Sequence, residues 1–238
     1  MTRVVISQPM YFPWAGFLAQ MNLADIFVWL DDAQFSKGSF TNRIQIKLQS
    51  GIKWMTVPLT GKGTKQPINK LQSNGEKWRL THKSMLTQSL IGQPNFKQAV
   101  DIFDAALSCQ CLCETLIASA ELQAQFLEIL PQKIYRASEL KIDGNSSQRV
   151  LNILKQLNCS DYVTGHGAAN YLDHDAFNTA GISVSYMNYD ILPWEQSFGK
   201  FSPYVTGLDL IASGGKAAQK NINLYTEPAS TFLANIQR

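Results

Sequence analysis

The first 30 residues constrain the fold more than any other part of the chain. Arg3–Ser7 and 25–30 are apolar runs typical of buried strands, and a short helix with an apolar side is expected over 14–22. The loop that follows the first strand holds two prolines within five residues, which excludes a helix there. Strand, loop, helix and strand in this order predict a βαβ unit, and therefore a parallel sheet.

The rest of the chain alternates between hairpin, helical and α/β patterns. Residues 43–48 and 52–57 flank Ser50-Gly51 with one apolar and one polar face, which predicts a β-hairpin. The stretch 60–70 has the composition of a mobile basic loop, and from 76 to 130 the period becomes helical, enough for two or three helices. After Ser138 we expect a helix from 145 or 146, a strand over 161–164, a tight loop at 165–167, a helix from Ala168 and a strand over 181–186.

These patterns predict an α/β fold, namely a Rossmann-like, mostly parallel sheet with an inserted β-hairpin and a central helical region. We expect one domain over 1–238, with its α/β core at about 1–60 and 138–215 and the helical insertion at about 75–135.

Composition narrows the class of protein. Apolar residues make up 45% of the chain and charged residues 16%, which excludes a disordered, collagen-like or coiled-coil chain. The formal charge of +3 suits an anionic small molecule but falls short of a nucleic-acid-binding surface. We therefore expect a small-molecule substrate and no nucleic acid, and a homo-oligomer is compatible with the sequence.

The location expected from the sequence is the cytoplasm. No apolar run reaches the roughly 18 to 20 residues of a membrane span. The strand pattern begins at Arg3, which leaves no room for a signal peptide. The four cysteines do not form the pattern of a secreted disulfide framework.

Ligands of open α/β sheets bind beyond the carboxyl ends of the strands, so the loops there hold the candidate site. The loop after the first strand offers Gln8, Tyr11 and Trp14. Its aromatic rings either fold into the core or form the wall of a pocket. Gln8 and Tyr11 are the stronger binding candidates, because their polar ends need partners.

The loop after the second strand offers a carboxylate and two cations. Asp32 could bind a metal, orient a ribose or act as a general base. Lys37 and Arg43 could hold phosphate oxygens, with Asn42 beside them. The alternative is that this segment is only a solvated turn.

The loop after a later strand offers His166 and Asn170. His166 is the best acid–base candidate of the three histidines, although a structural role is the alternative, and His82 is expected to be structural. No G-x-G-x-x-G is completed and no P-loop is present, so no cofactor is assigned. Asp173-His174-Asp175 cannot chelate a metal by itself, because adjacent side chains point in different directions, and no metal ligand is assigned either.

The chain resembles the WbqC-like family over nearly its whole length. The most specific block is 6–17, followed by 24–28 and 31–35, and the supporting blocks are 42–44, 56–58, 162–165, 170–172, 201–204 and 208–211. Thr41 and Thr206-Gly207 depart from the residues common in the family at those places. The resemblance implies a bacterial cytoplasmic protein associated with O-antigen and other surface polysaccharides.

The function that the resemblance favours is a transferase that modifies a nucleotide-linked amino sugar by acyl or aminoacyl transfer. In this hypothesis Lys37 and Arg43 neutralise the diphosphate, and Asp32 or His166 accepts a proton from the amine. One alternative is an ATP-dependent ligase or nucleotidyl transferase. Another is a non-catalytic partner in a polysaccharide assembly complex.

Overall fold

The structure is a computed structural model that describes residues 2–63 and 65–236. Thr64, within the expected basic loop, and Met1, Gln237 and Arg238, at the ends of the expected domain, lie outside the described residues. The strands are β1 (Arg3–Ser7), β2 (Ile26–Trp29), β3 (Arg43–Leu48), β4 (Gly51–Thr56), β5 (Lys133–Arg136), β6 (Asp161–Thr164), β7 (Ser183–Met187) and β8 (Thr226–Pro228). The helices are α1 (Ala15–Leu23), α2 (Lys77–Leu90), α3 (Phe96–Leu107), α4 (Leu112–Phe126), α5 (Ala137–Leu140), α6 (Ser146–Gln156), α7 (His174–Thr179), α8 (Gly207–Gly214) and α9 (Ala229–Ile236).

Six strands form one sheet in the order β5-β2-β1-β6-β7-β8. All neighbouring pairs are parallel except β7 with β8, and β1 lies between β2 and β6, with Val4 opposite Ile26 on one side and Tyr162 on the other. The predicted α/β fold with a mostly parallel, Rossmann-like sheet is thereby confirmed. The predicted hairpin is also present, as the separate antiparallel pair β3-β4.

Successive side chains of a strand point to opposite faces of the sheet, so a strand that is apolar throughout needs cover on both faces. Helices supply this cover on each side. On one face, Val5 and Phe27 belong to a core that includes residues of α1, α4 and α8. On the other face, Val4 and Val28 belong to a core that includes residues of α6, α7 and α9. The sheet therefore lies between two layers of helices.

Three local expectations differ from the structure. Instead of a tight loop and a helix from Ala168, a 3₁₀ turn spans His166–Asn170 and the next helix is α7. The basic stretch 60–70 contains two 3₁₀ turns and buries Ile68, because apolar side chains there pack on the core. The chain also adds β5, inside the expected helical region, and β8, near its end, to the sheet.

Candidate active site at the carboxyl edge of the sheet

The strand order defines where a ligand is expected. Numbered along the chain, the six strands follow the order 3-2-1-4-5-6 of dinucleotide-binding sheets, with the reversal between β1 and β6. Open sheets of this kind bind ligands outside the carboxyl ends of the strands, close to the reversal. The loops after β1, β2 and β6 meet there, as the sequence predicts.

A cavity of about 430 Å³ lies at this edge. We call it the edge cavity. The loop after β1 contributes Gln8 to its lining, and the loop after β6 contributes Tyr171. The other lining residues come from the loop after β2 and from the start of α6: Leu30, Asp32, Ala33, Gln34, Gly144, Asn145, Ser146, Arg149 and Val150. The structure thus brings Gln8 and Asp32 together.

Asp32 and Arg149 form the charged centre of the edge cavity. Arg149 donates from Nη1 to Oδ1 of Asp32 at 2.9 Å and from Nη2 to Oδ2 at 2.5 Å, and its Nε donates to the Ile142 carbonyl at 3.2 Å. The hydrogen bonds with Asp32 raise the pKa of Arg149 above its usual range. A guanidinium with three such contacts holds the carboxylate in one orientation.

The neighbouring Asp31 has a different role. It is buried and accepts hydrogen bonds from the backbone N–H of Ser138 at 3.1 Å and from its hydroxyl at 2.6 Å. These contacts tie the end of β2 to α5. Of the two adjacent aspartates, Asp32 is therefore the one available to a ligand.

The start of α6 adds positive potential to the edge cavity. The side chain of Asn145 makes no capping hydrogen bond, and Ser146 has a left-handed backbone with φ of 46°. The first amide groups of a helix lack partners within the helix, and the helix dipole adds positive charge at that end. Together with Arg149, this end of α6 favours an anionic group in the cavity.

Tyr189 contacts residues of the loops after β1 and β6. Ser7 donates to Gln20 Oε1 at 3.1 Å, and Gln20 Nε2 donates to the Tyr189 hydroxyl at 2.5 Å. A Cβ atom at Gly165 would lie 2.9 Å from that hydroxyl, so only glycine permits this approach at the end of β6. The half-buried ring of Trp14 packs against Tyr189 at 5.1 Å and against Tyr204 at 5.4 Å between centroids.

His166 lies at the same edge of the sheet but does not line the edge cavity. Its Nε2 is 2.7 Å from the Met187 carbonyl oxygen. Because a carbonyl oxygen only accepts, Nε2 carries the hydrogen, and Nδ1 is the nitrogen that can take a proton from a ligand. The ring packs against Tyr189 and Phe232, and Asn170 lies exposed at the other end of the same 3₁₀ turn.

Tyr11 lies inside the core. It is fully buried, its hydroxyl is 2.9 Å from Nδ1 of His82, and its ring packs against Phe12 and Trp78. Burial lowers the pKa of His82 to about 4, so the imidazole is neutral in this pair at neutral pH. The polar end of Tyr11 therefore finds its partner within the protein.

Lys37, Asn42 and Arg43 lie elsewhere. They line a second cavity of about 280 Å³ beside the hairpin, which shares no lining residue with the edge cavity. The expected group of Asp32 with Lys37 and Arg43 is thus divided between two cavities.

Arg149 and Tyr171 were not predicted from the sequence as site residues. Arg149 lies within the predicted helix, where a charged residue between apolar positions has the pattern of a solvent-facing side chain. Arg149 could have been predicted from its place in the first turn of a helix that begins at the carboxyl edge of the sheet. Tyr171 could have been found as an aromatic residue in the loop after a buried strand.

Two kinds of feature are absent from the described ranges, 2–63 and 65–236. No group of three or more His, Cys, Asp or Glu side chains in them could hold a metal ion. No helix there is long and apolar enough to cross a bilayer.

The sheet order, the helices on both faces and the position of the edge cavity define a Rossmann-like α/β protein. The chain belongs to the WbqC-like protein family, whose model matches residues 8–221. It is 29% identical over 223 residues to an uncharacterized protein of Mycobacterium tuberculosis, Rv1507c, covering 92% of this chain and 96% of that protein. No solved structure matches the chain significantly.

Proposed function

We propose that this protein is a transferase that modifies the amino group of a nucleotide-linked amino sugar by acyl or aminoacyl transfer. The observation that carries the proposal is the edge cavity, where Asp32, Arg149 and the start of α6 meet at the ligand-binding edge of a Rossmann-like sheet. The link to bacterial surface polysaccharide, O-antigen included, rests on the resemblance to the WbqC-like family.

The lining of the edge cavity suits the parts of such a ligand. Arg149 and the first amide groups of α6 would hold phosphate oxygens. The half-exposed ring of Tyr171 would stack on the base or the sugar, and the amide of Gln8 would hydrogen-bond to sugar hydroxyls.

The proposed reaction needs one proton acceptor. The sugar amine attacks the acyl carbonyl carbon, a C–N bond forms, and the bond to the leaving group breaks with its electron pair. The proton lost by the amine goes to Asp32 or to Nδ1 of His166, the two candidates at this edge. A positioned general base contributes about 10²- to 10⁴-fold to the rate.

The first half of the test is a thermal-shift titration with nucleotide-linked amino sugars, ATP and acyl-CoA in parallel. A ligand that binds only the folded protein stabilises it by about 2.7 kcal/mol at a hundredfold excess over Kd. We expect a nucleotide sugar to raise the melting temperature. Stabilisation by ATP alone, with release of ADP or pyrophosphate on turnover, would instead identify a ligase or nucleotidyl transferase.

The second half measures turnover of the ligand so identified. We expect Asp32→Asn or His166→Ala to lower kcat by about 10²- to 10⁴-fold while the circular dichroism spectrum stays native. Asp104→Asn and His174→Ala are matched controls, because Asp104 lies on α3 and His174 on α7, outside the loops after β2 and β6 that carry the two candidate bases. Full turnover by both test variants would exclude both as the base, and binding without any product would favour a non-catalytic role.

A further inference from the structure

The second cavity, of about 280 Å³, is lined by three cations: Lys37, Arg43 and Lys62. We call it the cationic cavity. It contains no carboxylate among the described residues that line it, and no salt bridge in the described part of the chain involves any of the three cations. Three like charges around one small space repel one another unless an anion lies between them.

The Arg43 side chain is held in place without a carboxylate. Its guanidinium lies 4.3 Å above the centre of the Trp54 ring, and Nη2 donates to the Gly38 carbonyl. Its Nε is buried and has no hydrogen-bond partner among the described residues. Because buried donors are normally paired, this N–H needs a partner that none of the described residues supplies.

Hydrogen bonds within the protein order part of the wall of the cationic cavity. Asn42 and Val57 are joined twice, from the Asn42 side-chain amide to the Val57 carbonyl and from the Val57 N–H to the Asn42 carbonyl, each at 2.8 Å. The N–H of Phe35 donates to the Gln66 carbonyl at 2.8 Å. A site that is already ordered loses less entropy on binding.

Apolar walls strengthen the attraction of the three cations for an anion. Phe35, Pro58 and Leu59 line the same space as the three cations. Attraction between opposite charges grows where apolar walls exclude water and lower the effective dielectric constant. The cavity is also smaller than the edge cavity, which suits a phosphoryl or diphosphoryl group better than a whole nucleotide sugar.

We propose that the cationic cavity is a second binding site, which takes a phosphoryl or diphosphoryl group through Lys37, Arg43 and Lys62. Arginine and lysine are the side chains that hold phosphate in proteins, and the planar guanidinium of Arg43 can offer two parallel hydrogen bonds. The phosphate belongs either to a free inorganic anion or to a phosphorylated small molecule. The proposal does not rest on the transferase activity.

The test is isothermal calorimetry of the full chain with inorganic pyrophosphate. We expect the Lys37→Ala/Lys62→Ala double variant to raise the Kd for pyrophosphate roughly 10- to 100-fold, because it removes two charge-assisted contacts. The control is Lys53→Ala/Lys70→Ala, which removes the same charge from exposed residues of the same region that do not line the cavity. Equal weakening in the two double variants, or no pyrophosphate binding by the native protein, would overturn the proposal.

Two further arms separate the sources of the phosphate and the two cavities. Tighter binding of a phosphorylated sugar or acyl phosphate than of pyrophosphate would assign the site to a phosphorylated small molecule, and the reverse order would assign it to the free anion. Arg149→Gln, which removes a cation from the edge cavity and none from the cationic cavity, should leave the Kd for pyrophosphate unchanged. A rise in that Kd as large as in Lys37→Ala/Lys62→Ala would place the anion in the edge cavity and contradict the inference, whatever the outcome for catalysis.

Discussion

Gly207, the first residue of α8, lies in a position that has no room for a side chain. A Cβ atom there would be 2.6 Å from Leu18 Cδ1, 2.6 Å from Gln123 Oε1 and 3.0 Å from the Pro13 carbonyl oxygen. Leu18 and Gln123 are both fully buried, so neither can move aside freely. The N–H of Gly207 also donates to the same Pro13 carbonyl at 2.8 Å, which fixes the approach of α8 to the loop after β1.

We expect Gly207→Ala to lower the free energy of unfolding by about 1 to 3 kcal/mol, the usual result of adding a methyl group to a full core. Denaturant unfolding followed by circular dichroism measures this change. Gly167→Ala is the control, because a Cβ at Gly167 meets nothing within 4 Å. Equal stability of the two variants would show that the core around α8 adapts to the extra methyl group.

At the residue scale, the sequence predicted which side chains lie at the strand ends better than it predicted which side chains contact one another. Gln8 and Asp32 lie in the edge cavity because the end of a buried strand determines where the next residues go. The ion pair of Asp32 with Arg149 joins residues 117 positions apart, and no local pattern encodes such a contact. The burial of Tyr11 beside His82 depends on the packing of α2, which is likewise a tertiary effect.

At the scale of elements, Lys47 connects the hairpin to the long segment 188–206, which contains no helix and no strand. Lys47 is only 4% exposed, and its ammonium group donates to Gln196 Oε1 at 2.9 Å and to the Lys200 carbonyl at 2.6 Å. Burial lowers the pKa of Lys47, while the charge of Asp209 opposes that change. A buried cation thus holds a segment that lacks regular structure of its own.

Replacing Lys47 by methionine keeps much of the side-chain volume but removes these donors. We expect faster hydrogen exchange over 196–206 and a free energy of unfolding lower by about 1 to 3 kcal/mol, because the charged donor that joins the hairpin to this segment is lost. Lys53→Met is the control on β4, where the side chain is exposed. Unchanged exchange over 196–206 in Lys47→Met would show that other contacts suffice to hold the segment.

Elements with apolar runs or clear periodicity were predicted, and the short edge strands β5 and β8 were not. β1, β2 and the β3-β4 hairpin combine apolar runs or alternation with clear turn signals. β5 has only four residues, of which Lys133 and Arg136 are charged, and β8 has three, ending at Pro228. Both are edge strands of the sheet, so they exist through pairing with β2 and β7 rather than through their own sequence.

At the scale of the whole molecule, two buried groups make the free energy of unfolding depend on pH in opposite directions. Burial raises the pKa of Asp209 to about 6 from 3.8, so the protonated carboxyl group is favoured in the folded protein. The protonated group therefore stabilises the fold below pH 3.8, and this stabilisation is lost as the pH rises through about 6. Burial lowers the pKa of His82 to about 4 from 6.5, so its contribution is present above pH 6.5 and is lost as the pH falls.

The contribution of Asp209 to the pH dependence of stability can be isolated with the variant Asp209→Asn. The amide keeps an oxygen that can accept from Trp194 Nε1, now 2.7 Å from Asp209 Oδ1, but cannot ionise. Between pH 4 and 6 the native protein should lose on the order of 2 kcal/mol of stability relative to the variant. Chemical unfolding of both proteins at several pH values measures this difference, and a constant difference across the range would show that Asp209 does not titrate there.

The position of β1 at the centre of the sheet also has a consequence for synthesis. One partner, β2, follows within the first 30 residues, but the other pairing joins Arg3 to Asp161, a separation of 158 positions. At about 5 to 20 residues per second, a ribosome needs roughly 10 to 30 seconds to make the intervening chain. Throughout that interval the β6-facing edge of β1 has no native partner, and an unpaired strand edge is a template for aggregation. The strand made first therefore waits longest for its second partner, and we expect a nascent chain halted before β6 to need a chaperone at this edge.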